Sequence, residues 1–374
     1  MPHPKPAPLK KRRPDHVLRD LGRALRVAAR FTPVFGRGYV PAVRRAARLV
    51  GRELFTAEEI LRLGLLDPAL SADDLPRFTS RRAMTLIEQR LNPEAWRVVA
   101  EDKGIFYRHC AAHDLPTPPL WALFMGKRPG WARGRPTPET REAWAGFLES
   151  DCPAGLVIKP CFGGYGRGVQ VFERTPDRRF ADHTGQALRT VELVDRLYAD
   201  GGIRGWVIQE RIHNHPDLTR LSGSPYLQTA RLVTLCDRQG QPHLLHAHLK
   251  VIIGGNAIDN FHHGATGNVT ARADLQHGTL FAAVAGNPRG AGYLTASKHP
   301  DTGEAIEGFR LPFWAEACQL AKTAAREFLP LRFVGWDIAL TGNGPVLVEA
   351  NWNPDPPNPH RNLHLLRAKI EELA

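Results

Sequence analysis

The spacing of hydrophobic positions changes near residue 155: apolar residues recur every three or four positions before it, and fall into short Val/Ile/Leu runs after it. Leu18, Leu21, Leu25 and Ala28, with Arg19, Arg23, Arg26 and Arg30 mainly between them, predict a basic amphipathic helix. A second such stretch follows Pro41, with Val43, Ala46, Leu49 and Val50 among Arg44, Arg45, Arg48 and Arg52. Thr56, followed by Glu58 and Glu59, then reads as a helix cap with an acidic first turn. Thr79 to Ala112 is again helical in pattern, and LPTPPL (115–120) marks an extended segment. Seven runs predict strands: GLVIKP, GVQVFE, GWVIQERI, TARLVTL, LLHAHLKVII, FVGWDIAL and GPVLVEAN. Helices are expected at Thr184 to Ala199 and at Pro312 to Phe328, where Trp314, Cys318, Ala321 and Ala325 keep helical spacing. No fixed-period repeat is present, which disfavours a solenoid or propeller.

Composition and charge sharpen this picture. With 374 residues, 43% of them hydrophobic, the chain is long and apolar enough for two to three domains with a sizeable core. The net charge of +12 would point to nucleic acid or a membrane surface, were it spread over the chain. It is confined to residues 1–52, which hold 14 Lys and Arg against Asp15 and Asp20. Residues 1–14, proline-rich and basic with nothing to pack, are expected to be disordered. The arm offers docking on an anionic membrane surface or an acidic partner; a helical pair laid on the main domain with a solvated basic face is the preferred alternative. Nucleic acid is disfavoured, because the eight tryptophans are dispersed and form no stacking platform among the basic residues. Five scattered cysteines without a CxxC pair fit a reducing compartment. No apolar run of spanning length or signal-peptide pattern occurs, so the expectation is a soluble cytoplasmic protein, peripheral at the inner membrane face only on the alternative in which the arm docks there.

Two segments carry the sharpest chemistry. In Ile158 to Phe172, Lys159 closes one strand, a loop holds Gly163, Gly164, Gly166 and Gly168, and a strand follows. Glycines let backbone N–H groups approach phosphate, and the lysine supplies a cation. The P-loop and dinucleotide motifs both open a helix, so this reads instead as a β-loop-β flap over phosphate; an unliganded glycine-rich hairpin fits the motif alone equally well. Near the C-terminus, FVGWDIAL and VLVEANWNP flank GNGP. Period-two alternation puts Glu349 and Asn351 on one strand face and lets Asp337 meet them across a hairpin. Such an all-oxygen set suits Mg²⁺ held against nucleotide phosphates, in preference to an ordinary exposed strand face.

Other candidates are weaker. Gln209 and Glu210 end a strand whose edge could receive adenine, with Asp217 near enough in sequence for a ribose hydroxyl. Arg231 and Lys250 are cations in half-buried strands, where snorkelling side chains are the alternative. DNFHHGATGN (259–268) and KHPDTG (298–303) are polar loops able to close a site or merely to turn the chain. A zinc site among His243, His246, His248, His262 and His263 carries little weight, since no carboxylate or cysteine accompanies them at a familiar spacing. No GxSxG or HExxH motif occurs.

Taken in order, Lys103, VIKP with its glycine flap, QERI, TARLVTL, IDNF, GWDIAL and VLVEANWNP resemble the ATP-grasp superfamily, and more narrowly its sugar-transfer associated branch, over roughly residues 80–360. The resemblance implies an α+β ATP-grasp fold, two α+β lobes gripping ATP behind a basic helical N-terminal segment. The division would be a tail at 1–14, a helical arm at 15–78, an N-lobe with the flap at 79–205 and a C-lobe with the metal site at 206–374. It further implies that Lys103 and Lys159 hold ATP phosphates under the Gly163–Gly168 flap, and that Gln209, Glu210 and Asp217 receive adenosine. Arg231 would stabilise the transferring phosphoryl group with Lys250 as a second cation, Asp337, Glu349 and Asn351 would bind Mg²⁺, and Asn260 and His299 would face nucleotide or acceptor. The chain departs from relatives in following DNF with HHGATGN where they often have a Gly-Gly pair, and in carrying the basic arm in place of a preceding α/β domain. The implied activity is ATP- and Mg²⁺-dependent joining of a carboxylate to an amine or another nucleophile through an acylphosphate, in cell-surface polysaccharide or related metabolite synthesis. The alternatives are a kinase acting on a hydroxyl, and a nucleotide-binding regulator or scaffold recruited by its arm.

Overall fold

Thr56 accepts from the Glu59 amide at 3.1 Å while the Glu59 carboxylate takes the Thr56 amide at 2.7 Å, and this reciprocal cap starts one of the helices that precede the sheets. The computed structural model describes residues 22, 25–26, 28–29, 39–51, 53–164, 166–200, 205–360 and 363–374. The expected disordered tail at 1–14 and most of the helix expected over Leu18 to Ala28 lie outside them. Helix α1 (Tyr39–Gly51) and α2 (Ala57–Arg62) share a core of Ala46, Leu49, Phe55, Ile60 and Leu65. No helix among the described residues is long and apolar enough to cross a membrane.

The helical stretch expected from Thr79 to Ala112 is broken into α3 (Arg81–Leu91), α4 (Arg97–Glu101) and α5 (Lys103–Ala112). Pro93 follows the first break, and at the second the Asp102 carboxylate caps the Ile105 amide at 3.1 Å. Then come β1 (Leu120–Phe124), β2 (Trp131–Ala132), α6 (Arg141–Ser150), β3 (Gly155–Pro160), β4 (Gln170–Arg174), β5 (Phe180–Asp182), β6 (Ala187–Leu188), α7 (Thr190–Ala199) and β7 (Trp206–Glu210). Helix α7 starts later than the pattern predicts. The Asp182 carboxylate accepts from the Thr184 amide at 2.8 Å and the Gln186 amide at 3.2 Å, closing a turn that pairs β5 with β6 before the helix begins.

The second half runs α8 (Pro216–Ser222), β8 (Thr229–Cys236), β9 (Pro242–Val251), β10 (Val269–Ala273), β11 (Leu280–Gly286), β12 (Tyr293–Thr295), α9 (Trp314–Glu327), β13 (Phe333–Thr341), β14 (Gly344–Asn351) and α10 (Leu363–Leu373). Among the described residues the strands form two antiparallel sheets, ordered β2-β1-β7-β3-β4-β5-β6 and β12-β11-β10-β9-β8-β13-β14. All seven strands expected from the apolar runs are present, and the α+β class with a helical N-terminal segment holds. The short strands, and β11 with its exposed Phe281, lack the pattern that would have announced them.

Sheet packing decides where chemistry can sit. On one face of the second sheet Leu232, Trp336 and Ile338 join the core that includes Ala317, Ala321 and Ala324 of α9. On the other, Val233, Leu235 and Phe333 are covered by Met84 and Leu91 of α3 and Leu366 and Ile370 of α10. That cover stops short of Arg231 and Asp337, which the pleat puts on the same face as Val233. Asn92 closes the boundary: its amide donates to the Phe333 and Trp352 carbonyls, each at 2.7 Å, and accepts from the Phe333 amide at 2.9 Å. The first sheet buries Leu156, Ile158 and Ile208 against Trp144 and Phe147 of α6 and Leu193 and Leu197 of α7. The helical segment joins the far edge of the second sheet, where the Gly292 amide donates to the Arg62 carbonyl at 3.1 Å.

Candidate active site

A cleft of about 760 Å³ opens between the two sheets, with Lys103, Lys159, Arg231 and Lys250 on its walls and Asp337, Glu349 and Asn351 at its floor. The floor is a matter of register. Asp337 of β13 lies directly opposite Glu349 of β14 and Arg231 of β8, and Gly335 lies opposite Asn351. Gly335 shares this face, and a Cβ there would come within 2.9 Å of Pro354 and 3.1 Å of Arg231, so only glycine lets the chain beyond β14 fold back over the floor.

Each acidic group on the floor is held by cations. Arg231 Nε and Nη2 donate to the two Asp337 carboxylate oxygens at 2.5 and 2.9 Å, and Lys250 Nζ donates to the second of them at 3.2 Å. Burial pushes the Asp337 carboxyl up, but Arg231 and then Lys250 outweigh it and hold it well below the usual carboxylate range. Lys250 also lies 3.4 Å from Asp259, a buried carboxylate that accepts from the Thr229 amide at 2.7 Å and hydroxyl at 2.6 Å. Lys103 Nζ lies 3.0 Å from Glu349 Oε1 and donates to the Gly163 carbonyl at 2.7 Å, linking the floor to the glycine loop. Asn351 donates through Nδ2 to the Gly335 carbonyl at 3.2 Å, which leaves its oxygen as an acceptor.

Lys159, on the wall formed by β3, donates to the Tyr107 hydroxyl at 2.5 Å, and Tyr107 in turn donates to the Val348 carbonyl. Burial first, then the neighbouring Lys103 charge, lower the Lys159 ammonium to about 7, against the opposing pull of Glu349 and Asp337. Tyr107 was missed in the sequence, although it lies four residues past Lys103 and so on the same helical face. Gln209 is buried and donates to the Pro118 carbonyl at 3.2 Å; with Glu210 it lines the cleft on the first sheet.

The loop reaches across to the opposite lobe. Gly163, Gly164 and Gly166 line the cleft, and a Cβ on Gly166 would come within 2.7 Å of Ile258, next to the DNF segment. Gly166 also has φ +71°, where side chains are strained. Gly166→Ala is therefore expected to lower the catalytic efficiency of the cleft about 5- to 150-fold, the equivalent of roughly 1–3 kcal/mol of strain in the loop. Adding Ile258→Ala should recover only part of that loss, because the backbone strain remains. Steady-state kinetics of the two variants checks both statements.

Not every candidate reaches the cleft. Asn260 lines it and its carboxamide oxygen also accepts from the His262 amide at 3.1 Å. Asp217, in the first turn of α8, is half exposed outside the lining, beside Arg220. Gly168 (φ +75°) packs against Pro160 at the loop's end rather than facing the cleft. His299 is buried away from it: Nε2 donates to the Ile252 carbonyl at 2.8 Å and Nδ1 accepts from the Asp301 and Thr302 amides at 3.2 and 3.3 Å. With both ring nitrogens occupied, His299 ties the HPDTG loop to the end of β9.

The family model for sugar-transfer associated ATP-grasp proteins matches residues 82–357. No curated protein matches the chain. Similar solved structures include a RimK domain ATP-grasp protein from Sphaerobacter thermophilus DSM 20745, 15% identical over 74% of this chain and 68% of its own, with a TM-score of 0.38. They also include biotin carboxylase from Campylobacter jejuni, 10% identical over 95% and 69% with a TM-score of 0.44, and L-amino acid ligase from Bacillus licheniformis, 15% identical over 73% and 48% with a TM-score of 0.36. The chain thus spans about half the length of the last of these. With the family match extending from the start of α3 to the residues just beyond the carboxylate floor, the chain belongs to the sugar-transfer associated ATP-grasp family.

Proposed function

We propose that the chain is an ATP- and Mg²⁺-dependent ligase that joins a carboxylate to an amine or a comparable nucleophile through an acylphosphate, in the synthesis of cell-surface polysaccharide or a related metabolite. The observation that carries this reading is the convergence of four cations from both lobes on a floor of carboxylate and carboxamide oxygens. An all-oxygen donor set of Asp337, Glu349 and Asn351 fits Mg²⁺, a hard cation, and not a thiolate-seeking metal. Bound there, Mg²⁺ would neutralise phosphate charge and polarise the transferred group.

The chain's own residues supply the rest. Lys103 and Lys159 hold the phosphates, and Arg231, with Lys250 behind it, offsets charge on the transferring oxygens. Gln209 and Glu210 meet the base from the end of β7; the strand edge expected from the sequence is not free, because β1 and β3 pair with β7 on its two sides. The Gly163–Gly166 loop, resting on Ile258, keeps water from the acylphosphate until the nucleophile arrives.

Mass spectrometry of reactions containing ATP and paired acids and amines tests the reading. An adduct, with ADP and phosphate released only when both partners are present, is the expected result. A stable phosphorylated product formed without an amine would replace it with the kinase reading.

A further inference from the structure

His246 and His248, two apart on β9, share a strand face with Lys250, and the sequence shows no third ligand at a familiar distance from them. The fold brings one. His360, in the short turn Asn358–His360 beyond β14, sits over both rings, and the three ring centroids form a near-equilateral triangle with sides of 5.3, 5.4 and 5.4 Å. One nitrogen from each ring can be chosen so that all three lie within 4.8 Å of one another. His246 Nε2 and His248 Nδ1 are 3.2 Å apart. Two imidazole ligands on one tetrahedral zinc ion stand about 3.3 Å apart, given Zn–N bonds of roughly 2.0–2.1 Å.

A lone N–H···N hydrogen bond would account for that pair but not for the third ring. The His360 ring meets the Ala282 backbone and, through Nε2 at 3.4 Å, the Thr270 hydroxyl, and its Nδ1 is buried without a well-formed hydrogen bond. Burial lowers all three imidazoles, His360 to about 3, so they are in the neutral form that a metal requires. The cations nearest His248, Arg231 and Lys250, are paired with Asp337 and Asp259, which limits their repulsion. Arg272, which faces His246 and His360, lies over the Phe281 ring at 5.1 Å. His248 and His360 line the cleft.

We infer that His246, His248 and His360 form a site for a borderline-soft divalent ion of the zinc class, separate from the oxygen floor, with its fourth position open to the cleft for water or a carboxylate or phosphate oxygen. The site stands on ring geometry and does not depend on the ligase reading.

The test titrates the full chain, stripped of metal and kept in excess Mg²⁺ to occupy oxygen ligands, with Co²⁺, and then displaces Co²⁺ with Zn²⁺. The expected result is one saturable site with the intense visible bands of four-coordinate Co²⁺. His246→Ala and His360→Ala should each weaken it by at least the roughly 10- to 100-fold that loss of an outer-shell partner costs. His243→Ala should not change it, since His243 bonds Asp237 at 2.9 Å. X-ray absorption of the wild-type zinc form should show three imidazole ligands, and this decides the matter even if a variant fails to fold. No saturable binding, a six-coordinate Co²⁺ spectrum, or affinity unchanged in both His246→Ala and His360→Ala would overturn the site.

Discussion

Glu349→Gln is expected to cut kcat/KM for nucleotide at least about 100-fold with only a small loss of thermal stability, whereas Asp337→Asn should lose activity together with considerably more stability. The sequence alone leads one to expect equal behaviour, two acidic ligands removable without harm to the fold. The structure separates them. Glu349 is partly exposed and pairs at 3.0 Å with the buried Lys103, which keeps its Gly163 carbonyl acceptor at 2.7 Å and can still be met by an amide oxygen, so the change costs about 1–2 kcal/mol. Asp337 is buried and neutralises both Arg231 and Lys250. Its amide would leave the mostly buried Arg231 guanidinium uncompensated and the buried Lys250 with Asp259 alone, a loss of roughly 3–5 kcal/mol. Calorimetric unfolding beside steady-state rates reads the two effects apart; equal stability of the two variants would refute the ion-pair account.

Lys159→Met should weaken nucleotide binding by roughly 10- to 100-fold, the worth of a charge-assisted hydrogen bond to phosphate, with no loss of stability near neutral pH. The sign follows from the lowered ammonium, about 7 against an ordinary value of 10.5. The charged form is disfavoured in the fold, so the burden is fully present below pH 7 and is relieved as the pH rises through the interval up to the unfolded value. Removing the amine removes that burden. In the wild type, an arriving phosphate favours the charged form, so binding at about pH 8 should take up close to one proton per nucleotide. Calorimetry in buffers of different ionisation enthalpy measures this uptake, and it should vanish in Lys159→Met. Persistence of the uptake in the variant would assign the proton to another group.

Much of the floor is legible in the sequence. Period-two alternation put Glu349 and Asn351 on one face, and their strand does lie beside that of Asp337 in the required register. The seven apolar strand runs were equally plain, because strands buried on at least one face must be written in Val, Ile, Leu and aromatic residues. Asp217 and His299 illustrate the opposite case. Each follows a strand or loop at a suitable sequence distance, yet α8 carries the first away from the cleft and two amides and a carbonyl occupy the ring of the second.

The sequence by itself determined what is local: strand and helix periods, the glycine loop, the clustering of positive charge in residues 1–52, and the donor types on one hairpin. Only the tertiary structure decided which distant groups meet. Tyr107 reaches Lys159 because α5 packs against β7 and β14, Lys103 bridges floor and loop, and His360 completes a triangle with residues more than a hundred positions earlier. Local pattern follows from the stereochemistry of neighbouring residues, whereas such meetings depend on how sheets stack and where the chain folds back after β14, which no short-range rule encodes.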